Sequence, residues 1–448
     1  MIIGGIAEGL TRGVDATLST VSEAFFEPVI RLGVTGLSRA GKTVFITSLV
    51  ANLMARARMP GLTAAAEGRI VTAYLQPQPD DTVPRFDYEA HLAAMTGPAP
   101  YWPEGTRRIS ELRLSLRVTP SGLLSGLSGP RIVHLDIVDY PGEWLLDLGL
   151  LDKRYAEWSR ETLQGFAARP LAAPYREVCE ATDPASPHDE TTARTLATAY
   201  AEYLGKARAA GLSDTTPGRF LLPGDLAGSP VLTFAPLAEP SNAPRGSLWR
   251  EFERRFEAYK SQVVKPFFRD HFARIDRQIV LVDALGAIHA GPPAVEDMRR
   301  AMAGILGAFR PGRNAFLSQL LLGRRVEKIL FAATKADHLH HTQHSRLAAI
   351  MEALLADARS RADFSGAGTS SMAIAALRAT TEDEIMHDGA RLPVVRGLLA
   401  ETGKPAAFYP GDLPEDPARI LAPARAGDER WLDTDYGAMR FAPQPVSL

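Results

Sequence analysis

The chain has 448 residues, 46% hydrophobic and 23% charged, ordinary values for a folded protein of two or three domains, or of one large domain with insertions. A formal net charge of −2, with arginines scattered among acids rather than gathered on one face, removes any electrostatic reason to expect nucleic-acid binding. Cys179 is the single cysteine, so no internal disulfide can form, which favours a reducing compartment.

The N-terminal MIIGGIAEGL lacks the basic segment and apolar core of a secretory signal. No run of about 18 apolar residues suggests a membrane span, so the expectation is a cytoplasmic chain without a transmembrane segment. Ile6, Leu10, Val14, Leu18, Val21 and Phe25 recur at helical spacing and predict a helix within residues 1–29. It either packs on the main domain or docks on a membrane or partner. IRLGVTG, from Ile30, reads as a short strand ending in a glycine turn, and a helix starts near Lys42 and stops at Pro60-Gly61. Residues 60–106, rich in Pro, Gly and Thr with little periodicity, read as one long loop. Leu112, Leu114, Leu116 and Val118 alternate with Arg113, Ser115 and Arg117, a half-exposed strand. RIVHLDIVD follows SGLLSGLSGP as its hairpin partner.

Residues 144–275 change character and read as a helical insertion. Leu248, Trp249, Phe252, Phe256, Tyr259 and Val263 recur at three- and four-residue steps. Ser186 with Asp189 resembles a capping box, Pro187 suits a first turn, and Gly211 can end that helix. Afterwards RQIVLVDAL, VEKILFAATKAD and SMAIAALRAT read as buried strands, separated by helices containing Met298–Phe309 and Leu347–Ala358. The expected architecture is α/β: a mixed, mostly parallel sheet split into halves at 30–143 and 276–400 by the insertion. Residues 401–448 are expected to form short strands and proline-rich loops.

Three motifs carry chemistry. Gly36-Leu37-Ser38-Arg39-Ala40-Gly41-Lys42-Thr43, continued by Val44, matches the phosphate-binding P-loop without a mismatch. Such a loop turns backbone N–H groups inward at a helix N-terminus, making an anion nest. Lys42 is then placed for the β- and γ-phosphates, and the Thr43 hydroxyl for Mg²⁺. Asp139-Tyr140-Pro141-Gly142 follows the strand RIVHLDIV. An acid at a strand's carboxyl end can hold Mg²⁺ through water, and a glycine three residues on can sense the γ-phosphate through its N–H. Thr334-Lys335-Ala336-Asp337 ends the strand ILFAA. A carboxylate there can accept from guanine N1 and N2, and the unmatched carboxylate penalises adenine. Glu143, directly after Gly142, is a candidate for orienting the attacking water. Thr106 is the first candidate for a switch Mg²⁺ ligand, ahead of Thr96 and Thr82. His338, His340, His341 and His344 read as a solvated helix start rather than a metal site.

In this order the motifs resemble those of the Ras-like GTPase superfamily, although Thr334 stands where that pattern has Asn. The superfamily places the backbone that touches guanine O6 on a further strand, here IAALRAT, which makes Ala376 and Leu377 candidates. GLSRAGKT, ISELRLSLR, DYPGEWLLDL and FYPGDLP resemble the YcjX-like family of bacterial stress-associated GTPases over most of the chain. That resemblance implies a Ras-like P-loop core with a helical insertion. The motifs themselves call for GTP/GDP and Mg²⁺ as cofactors. Glu143, standing where many small GTPases have a glutamine and adding repulsion beside the γ-phosphate, predicts slow hydrolysis. The family resemblance also implies a YcjF-type membrane-protein partner, hence a peripheral place at the inner membrane. The alternatives are a P-loop ATPase or kinase, and a nucleotide-stabilised scaffold with negligible turnover.

Overall fold

The computed structural model of the chain describes residues 27–37, 40–55, 59–106, 108–121, 129–308, 326–363, 368–432 and 435–444. The helix expected from Ile6 to Phe25, and the P-loop residues Ser38 and Arg39, lie outside them.

Seven strands form the main sheet: β1 (Val29–Gly36), β2 (Ile70–Gln76), β3 (Ser110–Val118), β4 (Arg131–Asp139), β5 (Arg277–Val282), β6 (Lys328–Ala333) and β7 (Gly368–Ala373). Their order is β2-β3-β4-β1-β5-β6-β7. β1 is parallel to both β4 and β5, and β6 and β7 continue in parallel. β3 pairs antiparallel with β4, the expected hairpin, and β2 pairs antiparallel with β3.

The apolar runs of β5 and β6 explain the layering. Ile279, Leu281, Leu330 and Ala332 enter one core, whereas Val280, Val282, Ile329, Phe331 and Ala333 enter the other. Strand side chains alternate between faces, so a strand covered on both sides reads as an unbroken apolar run. The first face is covered by α1 (Lys42–Met54), whose Ile46 and Val50 are fully buried against Leu32, Val34 and Leu135. β3 and β4 carry a polar second face instead. Arg113 lies in register with the buried Asp136 and forks onto it at 2.6 and 2.8 Å.

The stretch 60–106 is not a single loop. It contains α2 (Thr63–Ala66), β2 and α3 (Tyr88–Thr96). β2 is an edge strand with half-exposed residues, and α3 is a short helix opened by Asp87, whose carboxylate accepts from Ala90 N–H. Elements with one packing partner carry weak periodicity, which hid them in the sequence. The helix from Lys42 ends at Met54, before the proline expected to stop it.

Between β4 and β5, the helices and strands among the described residues are all helical. They are α4 (Gly142–Leu146), α5 (Tyr155–Gly165), α6 (Ala173–Glu180), α7 (Glu190–Ala209), α8 (Leu248–Tyr259), α9 (Lys265–Asp270) and several short turns. The apolar stripe of α8 is buried as expected: Leu248, Trp249, Phe252, Phe256 and Tyr259 join one large core, where Trp158 stacks on Phe256 at 5.1 Å. α7 is capped by Asp189, which accepts from Thr192 N–H at 2.8 Å, not by Ser186. Pro187 is no first-turn proline either: it forms an isolated bridge with Ser247. Asp189 adjoins the helix directly, and an acid there satisfies the free N–H groups and complements the dipole. Gly211, at φ +91°, follows the helix end.

After β5 come α10 (Ala284–Ala290) and α11 (Pro292–Ala308). After β6 comes α12 (His344–Asp363), and α11 and α12 cover the second face of the sheet. β7 stops at Ala373, and IAALRAT continues as a loop over 374–379 rather than a strand, its last residue, Thr380, opening the next strand. β7 is also half-exposed rather than buried, because it is the sheet edge. A separate antiparallel sheet joins β8 (Thr380–His387), β9 (Ala390–Leu398) and β10 (Pro405–Phe408). The C-terminal region contains a helix as well as strands and loops, α13 (Ala418–Ala426), whose Ile420 and Leu421 are buried. No described helix is long and apolar enough to cross a membrane.

Candidate functional site

A cleft of about 1370 Å³ lies at the carboxyl ends of β1, β5 and β6. In an open α/β sheet this crevice, where the chain leaves a central strand in both directions, is where ligands bind. Gly36, Leu37, Ala40, Gly41, Lys42, Thr43, Val44, Thr106, Glu143, Thr334, Lys335, Asp337, Ala376 and Leu377 all line it. Segments separated by hundreds of residues thus meet in one cavity. Asp139 and Gly142 join through direct contacts with this lining.

The loop after β1 crosses to β5 through Leu37 N–H, which donates to Leu281 O at 3.2 Å. Gly41, at φ 76°, is the left-handed residue that turns the chain into α1, where Phe45 N–H donates back to Gly41 O. Lys42 Nζ lies 3.3 Å from Asp139 Oδ1. Asp139 is 2% exposed, and its other oxygen accepts from the Thr106 hydroxyl at 2.6 Å. Thr43 is buried, with its hydroxyl 3.4 Å from Glu104 O. The alternatives to Thr106 lie elsewhere: Thr82 bonds Asp80, and Thr96 bonds back to Leu92 O within α3.

Asp139 Oδ1 is buried and accepts no hydrogen bond among the described residues. Buried and anionic, that oxygen is balanced by the Lys42 ammonium 3.3 Å away. With the hydroxyls of Thr43 and Thr106 it makes an all-oxygen donor set that suits a hard divalent ion such as Mg²⁺.

Gly142 opens α4 directly against the P-loop. A Cβ there would stand 2.0 Å from Gly36 O and 2.5 Å from Gly36 C, so only glycine fits. One step further, a Cβ on Gly218 would stand 2.1 Å from Glu143 O. The P-loop, the start of α4 and the helical block are therefore in successive backbone contact. The block grips α4 by side chains too. Arg219 lies over the Trp144 ring at 3.3 Å, Gly218 N–H donates to Asp147 at 2.8 Å, and Tyr259 OH donates to its other oxygen at 2.5 Å. Burial pushes the Asp147 carboxyl up to about 7, against the lowering effect of these bonds. Glu143 is buried, with Oε1 2.8 Å from Arg208 Nη2 at the end of α7.

At the other end of the cleft, Thr334 N–H donates to Val282 O at 2.9 Å and its hydroxyl to the same oxygen at 3.3 Å. Lys335 takes a left-handed backbone, φ 60°, and its ammonium pairs with Asp283, which caps α10 through Gly286 N–H. Asp337 is buried, and Ala379 N–H donates to its Oδ2 at 2.8 Å. The loop carrying Ala376 and Leu377 thus wraps the carboxylate. The histidines that follow do lead into helix α12, as expected, but of them only His341 is solvent-exposed. His340 is buried, His341 pairs with Glu382 at 2.6 Å, and His344 opens α12 with Nε2 2.8 Å from Ala336 O. They pack because β8 lies against this turn.

Sequence reasoning missed Asp283, Arg208, Trp102 and the C-terminal lining. Trp102 donates from Nε1 to Phe441 O at 2.6 Å, tying the loop of Thr106 to a segment that bridges Leu399. Asp283, at the end of an apolar strand, was the one residue with a local signal.

Sheet order, P-loop position and the motifs at the strand ends define an α/β protein with a Ras-like P-loop core. The model of the YcjX-like family matches residues 30–447, and the chain belongs to that family. It is 40% identical over 437 residues to the Ras-like GTPase YcjX of Escherichia coli K12, covering 94% of this chain and 91% of that one. To the Ras-like GTPase YcjX of Shewanella oneidensis MR-1 it is 36% identical over 438 residues, covering 92% and 88%.

Proposed function

We propose that this protein binds GTP and GDP in the cleft, hydrolyses GTP slowly with Mg²⁺, and uses the change to reposition its helical block. The observation that carries the reading is the backbone chain from Gly36 to Gly142 and from Glu143 to Gly218. It ties the phosphate end of the cleft to the block without a flexible intermediary. In this reading Asp337, at the far end, supplies the guanine selection; the relatives' name, Ras-like GTPase, supports a guanine nucleotide as the ligand.

In this reading the P-loop N–H groups and Lys42 hold the phosphates, while Thr43, Asp139 and Thr106 hold Mg²⁺. When bound, the ion neutralises phosphate charge. Thr106 releases its bond to Asp139 to do so, which makes the Trp102–Thr106 loop sensitive to the triphosphate. Gly142 N–H faces the γ-phosphate, and Glu143 orients water. Residues 30–143 and 276–400 act as the two halves of the core, with 144–275 as the lever and 401–448 as the cover of the cleft. A stress role and a YcjF-type partner at the inner membrane complete the proposal, and they rest on the family resemblance.

Single-turnover hydrolysis of GTP by the purified protein, with Mg²⁺ and with EDTA, tests it. Mg²⁺-dependent release of phosphate, abolished in Lys42→Ala, is the expected result. Phosphate release equal for the two proteins would remove the P-loop from the reaction.

A further inference from the structure

The phosphate end of the cleft is lined by a side chain that the motifs do not contain. Gly205 and Arg208, one turn apart on α7, face the cleft together with Ala209, Ala210 and Gly211. The opposite side of the same turn, Tyr203, Leu204 and Ala207, is fully packed into the aromatic core of the helical block, so the position of Arg208 is set by rigid packing. Basic residues in a last helical turn commonly serve only the helix dipole, and Lys206 and Arg208 both qualify. Arg208 does more, because its guanidinium reaches out of its own helix to Glu143, at 2.8 Å. Glu143 adjoins Gly142, whose backbone touches Gly36. The arginine therefore stands beside the phosphate end of the loop. Among the other cleft-lining cations, Lys42 faces Asp139, Lys335 is held by Asp283 near the base end, and Arg440 belongs to the C-terminal segment bonded to Ala400.

We propose that Arg208 contacts the γ-phosphoryl group during hydrolysis, delivered in cis by the helical block and held by Glu143 until a triphosphate arrives. The inference rests on the reading of the cleft as a GTP site. A triphosphate beside Glu143 is a stronger anion than the carboxylate and draws the guanidinium to itself. Glu143 is then released to face the attacking water. The water oxygen bonds to the γ-phosphorus as the bond to the β–γ bridging oxygen breaks. The electron pair stays on that oxygen in GDP, and the water proton ends on inorganic phosphate. The forked guanidinium meets charge spread over the phosphoryl oxygens, the term that arginine supplies in phosphoryl transfer. Helical-block position and hydrolysis are thereby coupled: displacing α7 withdraws the arginine.

The test uses the full chain, Arg208→Ala and Arg208→Lys, with three readouts: GDP affinity, single-turnover GTP hydrolysis, and capture of GDP with aluminium fluoride. Expected are GDP affinity within about threefold of wild type, hydrolysis slower by roughly 10³-fold in R208A, and loss of the aluminium fluoride complex. R208K keeps the stem and charge and guards against misfolding. It is expected to bind GDP yet recover little rate, because an ammonium cannot fork. Wild-type hydrolysis and capture by R208A, or loss of GDP binding in both variants, would overturn the proposal while leaving the GTP site intact. Failure of the wild type itself to bind GDP would overturn the underlying reading as well.

Discussion

Replacing Gly142 by alanine tests the contact on which the switch reading depends. The added Cβ would sit 2.0 Å from Gly36 O and 2.5 Å from Gly36 C, where real contacts essentially never fall below 3.0 Å. The obstacle is backbone at the end of a central strand and cannot rotate away, so α4 must retreat by at least about 1 Å. Residue 142 has no positive φ, so the perturbation is steric alone. Overpacking of this kind costs about 1–3 kcal/mol of stability, and a 1 Å misplacement at a reacting centre costs about 10²-fold in rate. The expected outcome is a folded protein that retains GDP binding, loses about 10²-fold in GTP hydrolysis, and no longer changes its proteolysis pattern with a non-hydrolysable GTP analogue. Hydrolysis within a few-fold of wild type would show that the Gly36–Gly142 contact is not part of the mechanism.

Asp147 gives a pH prediction. Its folded-state carboxyl is raised to about 7 by burial, so the folded protein prefers the protonated form and loses stability as pH rises through that value. From pH 5.5 to 8 the linked loss is about 2 kcal/mol. Thermal melts of wild type against Asp147→Asn should show that fall in the first and not in the second; parallel curves would refute it. Thr106→Ala should weaken a Mg²⁺-bound GTP analogue by roughly 10-fold or more, on the order of one charge-assisted hydrogen bond, and leave GDP affinity unchanged by calorimetry. Trp102→Phe removes the bond to Phe441 O. GDP dissociation, followed by a fluorescent analogue, should then quicken about fivefold, for a bond of about 1 kcal/mol.

Much of this architecture is legible in the chain where physics is local. The β5 and β6 runs, the Leu112–Val118 alternation and the glycines of the P-loop each state their environment through spacing alone. What escaped depends on distant partners. β2 is half-exposed and paired only to β3, so its own residues carry little pattern. Arg208 looks like a helix-end cation until Glu143 is placed beside it. Asp283 becomes a partner of the base-reading loop only when β5 and β6 lie in register. Ser186 with Asp189 resembled a capping box, but Pro187 is held in a bridge with Ser247 and the helix starts only after Asp189, which is itself the cap. The same holds for IAALRAT, whose apolar letters serve a loop wrapped around Asp337.

The measurement that bears most directly on the central claim is thermal stabilisation by GDP, GTP, ADP, ATP and XDP with Mg²⁺, on wild type and on Asp337→Asn. Saturating ligand at about 100-fold above its dissociation constant adds about 2.7 kcal/mol to the folded state, a readily measured shift. Guanine-selective stabilisation of the wild type, moved toward XDP by the substitution, is the predicted result. Equal or greater stabilisation by adenine nucleotides would contradict it and place the protein among P-loop ATPases.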